Sequence, residues 1–291
     1  MRVNPVYKQE TKVSTRSFRF PMVILLFNGV LALVVLLNMY SVITQVRRTA
    51  EIQYSSFVNL YVFVASVEFA LLLFLIPAIT AGSISGEKER QTLDLMLTTR
   101  MSSLDIVLGK LFAGLSTILL LIVSSFPILS MTFVYGGILL KDIVLLLLCY
   151  SVTGFLTGSI GIFCSACFKK SAIATAVSYC LTTAVVAGTV AVNHLASLFL
   201  QITSTQGNKG SSGWFYLLLA NPASIFRMAL NSQMGRELEL AGVFPWLTQR
   251  PDNVITEYWL IFGVIVQSAI ACLLLWMAAK QIEPCKRKRK R

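Results

Sequence analysis

An all-α membrane protein with about six transmembrane helices is the fold class this chain predicts, on three observations. The 291 residues are 56% hydrophobic and only 13% charged, with a mean hydropathy of +0.73, far from a soluble domain's balance. The apolar residues gather in runs of about 20 or more, the length of helix that crosses a hydrocarbon core of about 30 Å with its backbone groups satisfied internally. No alternating strand pattern accompanies them, which argues against an outer-membrane barrel.

The order of elements follows from those runs. Residues 1–20 form an N-terminal segment outside the spans, and a six-helix transmembrane domain covers 21–283. The first span is roughly 21–43, PMVILLFNGVLALVVLLNMYSVI, and the second roughly 58–82. The third, about 104–134, and the fourth, about 141–166, flank a tight YGGILLK turn. A fifth covers about 171–199, an outer segment occupies about 200–256, and the sixth runs about 257–279. The first run is long and no small-residue cleavage site closes it, so it is read as a retained helix rather than a signal peptide.

Lys and Arg set the orientation, because cytoplasmic loops retain them. With the N-terminus inside, 18 of the 25 basic residues fall on the cytosolic side and 7 outside. Both termini are therefore expected in the cytoplasm of a multi-pass plasma-membrane protein. Much of the net charge of +12 lies in the last eight residues, PCKRKRKR at 284–291. Beside a span such a cluster suits anionic lipid headgroups and topology. With no aromatic-interleaved basic domain, no nucleic-acid partner is expected.

The six cysteines, Cys149, Cys164, Cys167, Cys180, Cys272 and Cys285, avoid the outer loops, so no disulfide framework is indicated. Cys164 and Cys167 form a CSAC pair, but the one histidine, His194, belongs near the other membrane face, so no metal site is expected. In the outer segment, Asn221 followed by Pro222 suits an N-cap and a first helical position, with Ile225, Phe226, Ala229 and Leu230 on one face. The WFYLLLA run before it is too short to span, so a re-entrant or interfacial pair is expected there.

Between the second and third spans the chain pauses in SISGEKERQTLDLMLTTRMSS, residues 83–103. Glu87, Lys88, Glu89 and Arg90 precede Leu93, Met96, Leu97, Met101 and Leu104, a spacing of three and four that predicts a short amphipathic helix. Ser102 with Asp105 reads as a capping box that restarts the chain. Such a helix either rests among the headgroups or inserts its Leu and Met stripe into a groove on a soluble partner. Periodicity alone leaves both open. Glu68, inside the second span, is costly unless it is paired or faces water. It is either a gating or substrate-contact position, or is held by a Tyr, Ser or Asn of another helix. Pro77 could kink the same span.

The run AGSISGEKERQTLDLMLTTRMSSLDIVLGKLFAG resembles the signature of ABC-2 type permeases, the membrane subunits of a class of ATP-binding cassette transporters. Their pattern, GE-x-E-R-x-T-L-x-L-L-L-T-T-P followed by E-I-V-L-G-K, is matched at Gly86, Glu87, Glu89, Arg90, Thr92, Leu93, Leu95, Leu97, Thr98, Thr99 and Ile106–Lys110. Departures are Gln91 where glycine is frequent, Met96 for leucine, Arg100 where proline is frequent, and Asp105 for glutamate. The resemblance implies an ABC-2 permease architecture with a cytosolic coupling helix between helices 2 and 3. Glu87, Arg90, Thr92, Leu93, Met96 and Leu97 would meet a nucleotide-binding ATPase subunit. It also implies a second permease copy or a related permease. Residues 1–20 would then be an interfacial elbow helix, although their poor periodicity also suits a disordered tail.

Neither GSISGEKE nor GNKGSSG supplies the G-x-x-x-x-G-K-[ST] loop that cradles phosphates, so the chain is expected to have no ATPase site or cofactor of its own. ATP and Mg would belong to the partner subunit. The function implied is a transport subunit, an exporter, that couples ATP hydrolysis elsewhere to substrate movement. The alternatives are a secondary transporter, which predicts internal repeats and several buried charges, and an intramembrane enzyme.

Overall fold

The fold is described by a computed structural model, which covers residues 5–49, 54–93, 96, 102–136, 140–203, 213–233 and 254–283. An N-terminal helix, α1 (Pro5–Arg16), leads through Ser17 and Phe18 into α2 (Arg19–Thr49). Then come α3 (Tyr54–Thr80), a short α4 (Ser85–Glu89), α5 (Ser103–Gly136) and α6 (Leu140–Cys167). The fifth span is α7 (Ser171–Thr183), a π turn (Ala184–Gly188) and α8 (Thr189–Thr203) in one continuous helix. A 3-10 helix (Gly213–Ala220) precedes α9 (Pro222–Gln233), and one helical turn at Val254–Glu257 leads into α10 (Trp259–Ile282). No strand occurs among the described residues.

Among the described residues six helices are long and apolar enough to cross a membrane: Phe20–Thr44, Val58–Glu89, Ser103–Ser130, Lys141–Cys167, Ser171–Phe199 and Trp259–Ile282. They fall on the six runs read from the sequence. The α6 span is 61% buried and the first and fifth only 17%, so α6 is the axis of the bundle and those two form its flanks. Around α6 pack α3, α5, α7, α9 and α10.

The main core lies where α2, α3, α5, α6 and α9 meet, and includes Phe27, Leu31, Tyr61, Phe69, Leu72, Ile118, Leu121, Tyr150 and Phe226. Toward the signature end α3 and α6 approach closely at Gly161. A Cβ there would overlap the Thr80 hydroxyl and come within 3.3 Å of the Ala81 nitrogen. Close approach of backbones through small residues is how helices associate in lipid, where there is no hydrophobic drive between them.

The expected N-cap of α9 is present, with the Ala223 N–H donating to Asn221 Oδ1 at 2.8 Å. Ile225, Phe226, Ala229 and Leu230 are all buried, and Phe226 stacks on Phe69 at a centroid distance of 4.2 Å. The Asn221 amide also donates to the Val186 carbonyl at 2.9 Å. That carbonyl lies in the π turn, whose wider winding disturbs the usual i to i−4 ladder. Residues 204–212 and 234–253 of the outer segment, and the tail with Cys285, lie outside the described residues.

Candidate functional site

The described signature residues lie at the end of the bundle where Ile84 and Leu93 share a second apolar cluster with α5, α6 and α10. Here α4 is tied to its neighbours by both ends and by three successive side chains. Its first N–H groups, of Ile84 and Ser85, donate to Ser165 Oγ of α6 at 2.9 and 2.8 Å, so two donors that a helix start leaves orphaned are satisfied. The Lys88 ammonium donates to the Ser165 and Ala166 carbonyls, placing a cation at the C-terminal end of α6 where the helix dipole favours it. Glu89 Oε2 accepts from the Ser171 N–H at 3.3 Å and hydroxyl at 2.8 Å. That carboxylate stands at the N-terminus of α7, where the dipole favours an anion.

Glu87 turns the other way, to α5. Lys110 has a side chain only 2% exposed, and its ammonium donates to Glu87 Oε1 at 2.8 Å, Glu10 Oε1 at 2.7 Å and the Ser83 carbonyl at 3.0 Å. An ammonium has three N–H donors, and all three are used. Glu10 belongs to α1, so this lysine fastens the N-terminal helix to the signature segment. Val6, buried one turn before Glu10, anchors the same face of α1. A cleft of about 440 Å³ opens beside the hub, lined by Gln9, Glu10, Glu87, Arg90, Thr92 and Met96 among others. Glu87 Oε2 is buried and has no hydrogen-bond partner among the described residues.

The predicted amphipathic helix is not one piece. After Glu89 the chain turns through Arg90 and Gln91, and Gln91 has φ 58°. The Thr92 N–H donates to the Glu87 carbonyl at 2.9 Å and the Gln91 N–H to the Lys88 carbonyl at 3.2 Å. These are the two bonds of a Schellman motif, with Gln91 at the left-handed position that usually falls to glycine. The charged half, α4, is therefore a separate element from the apolar half. Residues 94–95 and 97–101, including Leu97, lie outside the described residues.

Of the coupling residues named from the sequence, Arg90 and Thr92 are exposed and Met96 is half-buried. Leu93 is only 4% exposed and packs with Ile84, Val107, Leu111 and Ile282, so it belongs to the bundle's own core. Lys110 was legible only as one more basic residue and a motif match. Its position in the first turns of an apolar span, where a bare ammonium is costly, was the available signal that it had partners. The capping box is present: the Asp105 N–H donates to Ser102 Oγ at 3.1 Å and the Ser102 N–H to Asp105 Oδ2 at 3.3 Å.

Glu68 is fully buried where α3, α5 and α6 meet. Oε1 accepts from the Ser125 hydroxyl, and Oε2 lies 3.2 Å from the Tyr150 hydroxyl, whose one proton is shared with the Ala65 carbonyl at 3.0 Å. Ser and Tyr of other helices thus contact the carboxyl. Among the described residues no three His, Cys, Asp or Glu side chains gather as a metal site would, and Cys164 packs with Leu156, Ile160 and Ala271.

The chain was compared with known proteins. No curated protein matches it. The family model for ABC-2 family transporter proteins matches residues 4–279, nearly the whole chain and every element described above. With six membrane-crossing helices and the signature residues assembled at one end of the bundle, the chain is a multi-pass membrane protein and a permease of the ABC-2 transporter family.

Proposed function

We propose that this permease forms the translocation pathway of an exporter in the plasma membrane, driven by a separate ATPase subunit that docks at the α4 end of the bundle. That end faces the cytoplasm in this reading, with both chain termini, because the basic residues concentrate there. ATP and Mg are held by the partner, and a second permease copy, or a related permease, completes the pathway. The observation that carries the reading is the tethering of α4 to α1, α5, α6 and α7 through Lys110, Ser165 and Ser171. A push on α4 reaches four helices at once, which is what a transmission element must do.

On this reading Arg90 and Thr92 are the docking surface, with Met96 as the apolar contact. Leu93 and Glu87 work from behind, by holding the segment in place. Tagged protein extracted from native membrane should bring down an ATPase with a phosphate-binding loop. Arg90→Glu should weaken that association several-fold, the scale of one exposed charged contact, while leaving the fold intact. If no such ATPase is recovered from native membranes, or if the purified permease alone hydrolyses ATP, the reading is wrong.

A further inference from the structure

The N-terminal helix carries two opposed sets of charge. On one side of α1, Val6 is buried and Glu10 holds Lys110. On the other, Lys8, Lys12 and Arg16 are all exposed. They are four residues apart, so they form one ridge along the helix. At 100° per residue, Lys8 and Lys12 lie about 160° around the axis from Glu10. Two residues, Ser17 and Phe18, separate α1 from α2, whose membrane-crossing stretch begins at Phe20. A link that short holds the Arg16 end of the ridge next to the start of the membrane-crossing stretch. Val13 and Phe18 add exposed apolar side chains beside it, 64% and 84% accessible.

From this placement we propose that the outer edge of α1 is a binding surface for anionic phospholipid headgroups. Bound lipid then holds α1 in the position from which Glu10 grips Lys110 and, through it, the signature segment. Lipid is favoured over a protein or nucleic-acid occupant because the helix that carries the ridge leads directly into a span and exposes apolar side chains as well as cations. The consequence for the signature segment rests on the coupling reading above, whereas lipid binding does not.

Amide exchange in the full chain tests both parts, in nanodiscs of phosphatidylcholine with and without phosphatidylglycerol. Residues 5–16 should exchange on the order of tenfold more slowly when the anionic lipid is present, because the basic ridge is drawn to the negative surface. High salt should remove the difference. The Lys8→Gln/Lys12→Gln/Arg16→Gln variant should show no lipid dependence, and Lys8→Arg/Lys12→Arg should keep it. Deleting residues 284–291 should leave it in place. Equal exchange in the two lipids, a dependence that survives the triple glutamine variant, or one that vanishes with the tail overturns the proposal. The grip on the signature segment is read separately. Exchange of residues 84–92 should follow the lipid in wild type and lose that link in Glu10→Gln, and a link that persists there overturns this second part. No ATPase takes part in these readouts, so their failure is distinguishable from failure of the coupling reading.

Discussion

The Lys110 ammonium and the Glu87 carboxylate meet at 2.8 Å, with the lysine buried and the glutamate side chain 20% exposed. The same ammonium reaches Glu10 across 100 positions of sequence. Lys110→Met would leave two carboxylates facing each other. Both are partly hydrated, so the loss should fall below the 3–5 kcal/mol seen when a fully buried pair is broken, at about 2 kcal/mol. Glu10→Gln should cost about 1 kcal/mol or less. A double-mutant cycle on thermal unfolding should show the two effects to be coupled, and strict additivity would show that the hub is not a unit.

Gln91 pays for its left-handed backbone with about 1–2 kcal/mol of steric cost that glycine does not incur. Gln91→Gly should therefore raise the unfolding midpoint, and Gln91→Val, whose branched Cβ tolerates that region worst, should lower it. Opposite signs for these two substitutions at one exposed site are the outcome to look for. A destabilising glycine would mean that the turn is not as described.

Glu68 meets two hydroxyls and, among the described residues, forms no ion pair. Glu68→Gln keeps an acceptor and adds a donor of the same shape, so stability should change by about 1 kcal/mol at most. Glu68→Arg puts an unpaired cation into the bundle and should prevent accumulation in the membrane. Yield and melting of the two variants check the pair of expectations. If flux falls in Glu68→Gln while the protein melts normally, the position has a part in gating beyond its hydrogen bonds.

Gly161→Ala should force α3 from α6, because the added methyl meets Thr80 and the backbone at Ala81. Overpacking of this kind costs about 1–3 kcal/mol. Adding Thr80→Gly in the same chain should recover part of the loss. No recovery would place the strain elsewhere.

The spans were legible because hydropathy over a membrane's thickness is a local property, and the run read as about 141–166 is bounded in the structure by Lys141 and Cys167. The Ser102/Asp105 box and the Asn221–Pro222 cap were legible for the same reason, since their partners lie within three residues. The hub was not legible, because nothing near Lys110 in sequence points to Glu10. The break at Gln91 was hidden by a residue type that favours helix continuation, although glycine at that place in related permeases was a trace of it. Leu93 fitted the periodic stripe, but periodicity does not say whether a stripe faces a partner or the chain's own core, and here the core wins.

The place of α6 also bears on how the protein is made. Its most extensive packing is with α10, the last helix of the described chain. During synthesis α6 must therefore wait in the lipid, with one long face uncovered, until residues 259–282 leave the ribosome. That face includes Leu156, Ile160 and Cys164, which pack with Ala271 of α10, and α6 also carries buried hydroxyls at Thr157 and Ser159, which in water-free surroundings would attract wrong partners. Each of them donates to a carbonyl one turn back on α6 itself, Thr157 to Thr153 at 2.7 Å and Ser159 to Phe155 at 2.6 Å. The half-made bundle thus shows no unbonded hydroxyl proton at these two places to the insertion machinery or to a membrane protease, and the seam can stay open until its closing helix arrives.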